Sequence, residues 1–257
     1  MKRFGCLFLA LCLLFGIAAC VPHQSDETIL YLAAAASLEQ VLEQELIPLF
    51  EATHEGMRVQ GTYGGSFHLQ TQIELGLEAD LFLSAALSAI TDLEAQGMVV
   101  GGAVVPLVEN RLVLIAPRNL EPTVTGFHDI LNAQSIAIGD PASVPAGRYA
   151  GEVFTYLGIW DEVRDKASLG TDVSAVLQWV DSGNAEVGVV YATDALRAEN
   201  VVILAEAPPE SLATQILLTA GLLANTQDEA AARLFLEFLQ SPAARRIFEA
   251  YGFTPYS

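Results

Sequence analysis

Beyond residue 20 the sequence contains no cysteine: Cys6, Cys12 and Cys20 are its only three. A fold built from the remainder has neither a disulfide nor thiol chemistry to draw on. Positive charge is also scarce. Lys and Arg number 12 against 31 Asp and Glu, a formal net charge of −19, and so acidic a surface repels nucleic acid and anionic lipid. The familiar catalytic signatures are missing too: there is no G-x-S-x-G, P-loop, G-x-G-x-x-G or H-E-x-x-H. The four histidines (His23, His54, His68, His128) lack metal-ligand spacing and read as solvated surface residues. Asp80, Asp140 and Asp194 stand at strand ends where two carboxylates could work as acid and base. Capping and turn formation account for them more simply. With 257 residues, 52% apolar and 17% charged, the chain is globular in composition and long enough for one large domain or two ordinary ones.

Residues 5–19 form a run without charge, short of the roughly 20 residues that a membrane-spanning helix needs. Lys2 and Arg3 precede it and Ile17-Ala18-Ala19-Cys20 closes it. Residues 1–19 are therefore expected to be a secretory signal peptide. The closing tetrapeptide resembles the bacterial lipobox, in which the Cys becomes the lipidated first residue; cleavage after Ala19 without lipid is the alternative. Residues 20–27 then comprise lipidated Cys20 and a polar tether reaching roughly 25 Å, at about 3.3–3.6 Å per residue. Loss of Lys2 and Arg3 takes the charge to −21. The expected location is outside the cytoplasm, on the outer face of the cell membrane or in the periplasm.

From Thr28 onward, apolar runs alternate with helical spacing. Residues 28–35, 57–63 and 79–84 read as strands; Leu38, Val41, Leu42, Leu46 and Phe50 mark the first helix, and 69–77 and 86–96 the next two. The rhythm predicts a parallel sheet covered by helices. A strand over 111–116 ends at Pro117 and the pattern restarts. Helices are expected at 127–131, 147–157 and 173–180, and strands at 135–139, 186–191 and 201–205. A strand at 215–223 and helices at 227–239 and 242–251 follow, and their return to the first unit would make two crossings between lobes.

Small or hydroxyl residues recur where strand meets helix: Ala34-Ala35-Ala36-Ser37, Gly64-Gly65-Ser66, Pro145-Ala146-Gly147 and Thr171-Asp172-Val173. Helix N-termini carry unpaired N–H groups and partial positive charge, so each is a latent anion site. In open α/β sheets such ends gather outside the carboxyl edge of the strands. Taken singly, Ser37 and Ser66 read as N-caps.

Together these stretches resemble the substrate-binding proteins of bacterial molybdate/tungstate ABC transporters, over nearly all of the chain after the tether. The resemblance is carried by AAAASL (33–38), ADLFLSA (79–85), GDPASVPAGRYA (139–150), VGVVYATDA (187–195) and IFEAYGF (247–253). It implies an α/β fold, a two-lobed type II periplasmic-binding clam in which each lobe is a mostly parallel sheet flanked by helices. The lobes would comprise 28–110 plus 217–257, and 111–216. It also implies an oxyanion in the cleft, held by the hydroxyls of Ser37 and Ser66, backbone N–H groups at Ala146 and Val173, and the phenol of Tyr191. The junction Gly64-Gly65-Ser66-Phe67 departs from the family's run of small residues, with Phe67 at the pocket rim.

The resemblance implies no enzyme activity and no cofactor, with molybdate or tungstate as cargo and no direct protein–metal bond. The implied partners are an ABC permease with its ATPase, a lipid anchor as the only membrane attachment, and no second copy of the chain. Chemically, the implied set is all neutral donors, which suits a fully deprotonated dianion and avoids burying an ion pair. Arg148, one turn into its helix, is expected to point away, whereas Glu39 and Asp172 lie nearest as opposing charges. A receptor for another tetrahedral oxyanion such as sulfate, an enzyme on the same fold using Asp80, Asp140 or Asp194, and a surface adhesion protein are the other readings.

Overall fold

A computed structural model describes residues 27–119 and 123–256. The signal-peptide segment and Cys20 lie outside the described residues. Two sheets organise the chain. The first has the order β11-β4-β10-β3-β1-β2, from β1 (Thr28–Ala35), β2 (Met57–Gly64), β3 (Leu81–Ser84), β4 (Val99–Asn110), β10 (Ile216–Leu223) and β11 (Thr254–Pro255). The second has the order β7-β6-β8-β5-β9, from β5 (Leu112–Pro117), β6 (Ile136–Gly139), β7 (Ala167–Gly170), β8 (Val187–Tyr191) and β9 (Val201–Glu206). The chain passes between them at Arg111 and again between β9 and β10.

Both sheets are mixed, with most strands of each running in one direction, as expected. β1 pairs in parallel with β2 and β3, and β6 with β7 and β8. The strand that follows each crossing runs the other way: β10 is antiparallel to β3 and β4, and β5 to β8 and β9. β4 is an element that the sequence pattern does not announce. Gly101, Gly102 and Pro106 break its periodicity, and its pairing with β10 carries register shifts. Proline is tolerated there because Pro106 stands at one of these shifts, where Leu218 pairs with Val108 and Thr219 with Pro106, a β-bulge that interrupts the ladder.

The first helical segment, α1, follows β1 directly. It opens as a 3₁₀ turn at Ala36–Leu38, contains a π stretch at Leu42–Leu46 and ends with Ile47–Thr53. Its apolar positions Leu38, Val41, Leu42, Leu46 and Phe50 are all buried. Phe50 packs edge-on against Phe235, with ring centroids 4.8 Å apart. His54 is not a free surface residue as expected: it stacks on Phe50 at 4.2 Å and Nδ1 lies 2.9 Å from the Phe50 carbonyl. His68 and His128 are exposed.

The remaining helices are α2 (Ser66–Glu74), α3 (Leu87–Ala95), α4 (Pro145–Tyr156), α5 (Trp160–Lys166), α6 (Val173–Asp181), α7 (Ala192–Arg197), α8 (Glu229–Leu239) and α9 (Pro242–Ala250). The G-D-P-x-x-V-P-A-G stretch has a packing reason. A Cβ on Gly147 would run into the Gly139 carbonyl, so the glycine lets α4 sit directly on β6.

Candidate functional site

Strands β1, β2 and β8 and the loop before α6 deliver their C-terminal ends to one point between the sheets. A small cavity there is lined by Ser37, Ser66, Val173 and Tyr191, together with small residues such as Ala35 and Gly65. Four of the five predicted binding residues therefore meet at one place. The fifth, Ala146, is fully buried on α4 beside the lining residues Val144 and Pro145, but its own side chain does not line the cavity. Its backbone N–H lies in the first turn of α4, where helices lack internal acceptors.

The hydroxyls show what kind of site this is. Neither Ser37 nor Ser66 caps its helix, so the simple capping role fails. Ser37 Oγ and Tyr191 Oη are buried and have no hydrogen-bond partner. Ser66 Oγ accepts from the Ala85 N–H at 3.0 Å, which leaves its proton to donate. Burial is the main reason that the Tyr191 phenol is pushed well above its ordinary value, with Tyr149 and Asp194 adding to it. Tyr149, whose hydroxyl points at the Ala85 carbonyl, is pushed up to about 12 by burial and by Glu152. Both phenols thus stay protonated donors at neutral pH. Buried hydroxyls without partners are costly, and here they converge with helix N-termini on one cavity.

Negative side chains border the site without filling it. Asp172 caps α6, accepting the Ala175 N–H at 2.8 Å, where the helix dipole offsets its charge. Glu39 lies in an adjoining vestibule, and burial, Glu43 and Asp172 raise its pKa. Of the candidate acid–base residues, Asp80 binds the Tyr31 N–H at 2.7 Å and the Thr226 hydroxyl at 2.6 Å. Asp140 accepts the Ala142 N–H at 2.9 Å, and Asp194 the Tyr191 N–H at 3.3 Å. Each carboxylate is engaged in holding backbone, Asp140 and Asp194 within their own turns and Asp80 across to β1. Among the described residues, no group of His, Cys, Asp and Glu could hold a metal ion.

The two halves touch across the cavity. Phe67 and His68 N–H groups, in the first turn of α2, donate to the Ser143 carbonyl at 3.2 and 3.3 Å. Gly65 makes that approach possible: a Cβ there would lie 2.6 Å from the Ser143 oxygen and 3.1 Å from that of Thr171. Arg148 points away from the cavity, as expected, and stacks on Phe67, its guanidinium carbon 3.5 Å from the ring centroid. That stacking carries no sequence signal beyond the presence of Phe67 at the rim.

The profile of bacterial extracellular solute-binding proteins matches residues 30–254. The chain belongs to that family. This solute-binding protein is 38% identical, over 98% of both chains, to a Bacillus subtilis protein provisionally described as the ABC transporter substrate-binding lipoprotein YvgL. It is 33% identical to the molybdate-binding protein ModA of Haemophilus influenzae, over 86% of this chain and 88% of that one. The periplasmic molybdate-binding protein of Azotobacter vinelandii superimposes with a TM-score of 0.78 at 23% identity, covering 89% of this chain and all of that one. The fold is accordingly that of the two-lobed type II periplasmic-binding class. The relatives are solute-binding proteins, not enzymes. No helix among the described residues is long and apolar enough to cross a membrane.

Proposed function

We propose that this protein captures molybdate or tungstate outside the cytoplasm and delivers it to an ABC permease driven by its ATPase. The observation that carries the reading is the pair of buried, partnerless hydroxyls, Ser37 and Tyr191, facing one cavity between the sheets. Ser66 and the N–H groups of Val173 and Ala146 complete a donor set without a formal cation. Such a set favours an oxyanion with no proton of its own, because a protonated oxygen would need an acceptor. Molybdate and tungstate are tetrahedral dianions of nearly equal size, and the site takes both. They are cargo; the protein uses no cofactor.

The lobes are residues 28–110 with 217–257, and residues 111–216, hinged at the two crossings. Ser37 and Ser66 belong to the first lobe; Val173, Ala146 and Tyr191 belong to the second. An anion held by both stabilises the closed state through contacts that the open state lacks. The chain acts as a monomer tethered by lipid on Cys20, in keeping with the lipoprotein description of the Bacillus relative. Titration calorimetry with molybdate, tungstate, sulfate and phosphate tests the reading. Molybdate and tungstate are expected to bind one to one and far more tightly than the other two. Absence of heat with every anion would overturn it, and a preference for sulfate would reassign the cargo.

A further inference from the structure

Two arginines of the second lobe reach across to rings of the first. Arg148 on α4 lies over Phe67 of α2 at 3.5 Å. Arg197, which ends α7, lies over Tyr251 at the end of α9 at 3.4 Å, and its Nε donates to Gln40 Oε1 on α1 at 2.8 Å. The Tyr251 hydroxyl in turn donates to Gln44 Oε1 at 3.1 Å. Neither arginine lines the oxyanion cavity. In a chain with 31 acidic residues, neither of the two forms an ion pair with another described residue. Both arginines are exposed residues, whereas Phe67 and Tyr251 are buried. The pairs flank the cavity: Phe67 follows Ser66, and α7 begins directly after Tyr191.

We propose that Arg148 and Arg197 are closure residues, two clasps that hold the lobes together by stacking on Phe67 and Tyr251 while leaving the anion untouched. A guanidinium is weakly hydrated and planar, so it moves from water onto an aromatic face at little cost. These contacts exist only when the lobes are apposed. They favour the closed form with or without anion, and apparent affinity follows the closure equilibrium. The proposal rests on the reading of the cleft as one that shuts over an oxyanion.

The test compares R148Q, R197Q and the double variant with wild type, using molybdate as the probe in calorimetry. Each single change should weaken binding about two- to fivefold, the range of an exposed cation–π contact, and the double change about tenfold. R148K and R197K keep the charge and lose the planar stack, so they should weaken binding as well. F67L should be non-additive with R148Q. In parallel, T91C and T155C place spin labels at exposed positions on either lobe, in a chain that has no other cysteine after Cys20. The anion-free double variant should shift that pair to longer distances. Unchanged affinity in the Gln variants, or wild-type affinity in the Lys variants, overturns the proposal. If wild type binds no molybdate, the functional reading fails, and the anion-free distances alone decide for or against the clasps.

Discussion

Replacing Tyr191 by Phe removes one oxygen from the wall of the cavity and little else. The residue closes β8 behind Val187, Val189 and Val190, all fully buried, so the ring is placed by a rigid strand and stays when the hydroxyl goes. That hydroxyl satisfies nothing in the protein. Its only role in the proposed site is donation to the anion, and a hydrogen bond to a charged group contributes about 1.5–3 kcal/mol. At about 1.4 kcal/mol per decade, Y191F should lose roughly ten- to a hundredfold in oxyanion affinity. Without anion, its melting temperature should be unchanged or a few degrees higher, since a buried group without a partner has been deleted. With excess molybdate the order reverses: ligand stabilisation scales with the logarithm of concentration over Kd, so the variant gains less from the anion. Calorimetry for affinity and a melting curve with and without molybdate measure both quantities. Intact affinity combined with lower unliganded stability would refute the reasoning and make Tyr191 a core residue.

The two serines should separate in the same pair of assays. S37A removes a partnerless hydroxyl and should weaken molybdate binding with little change in unliganded stability. S66A also strands the buried Ala85 N–H, which costs about 1–3 kcal/mol, so it should lower the unliganded melting temperature by several degrees as well as the affinity. G65A places a methyl against the Ser143 and Thr171 carbonyls. Because Gly65 has φ −63° and ψ 132°, open to any residue, the variant should fold normally yet bind molybdate at least tenfold more weakly; wild-type affinity would show that the lobes do not meet there. Asp194 is pushed up to about 7 by burial, opposed by the Tyr191 N–H and reinforced by Asp172. Between its ordinary unfolded value near 4 and that higher one, the folded state binds a proton that the unfolded chain lacks, so its contribution to stability is lost as pH rises towards 7 and beyond. The stability of wild type relative to D194N should therefore rise between pH 8 and pH 5, and a difference that stays constant with pH contradicts the assignment.

The sequence by itself determined the elements whose signal is local. The apolar spacing of Leu38, Val41, Leu42, Leu46 and Phe50 gives α1, and the β-branched run before Tyr191 gives β8. The small residues at the junctions placed Ser37, Ser66 and Val173 at strand ends, where parallel strands and their helices converge. It did not reveal β4, whose glycines and proline look like loop, or β7, whose Ser168 and Leu169 are exposed. The mixed character of the sheets was equally hidden, because strand direction depends on where the chain crosses between units and leaves no trace in periodicity. Only the tertiary structure decided that Ser37 and Tyr191 have no partner, that Ser66 serves Ala85, and that the Ala146 side chain stops short of the cavity. The same holds for the contacts of Gly65 with Ser143, Arg148 with Phe67 and Arg197 with Tyr251. Each joins residues far apart in the chain, and their meeting is set by how the two sheets face one another, a geometry fixed by packing and not by any local pattern of side chains.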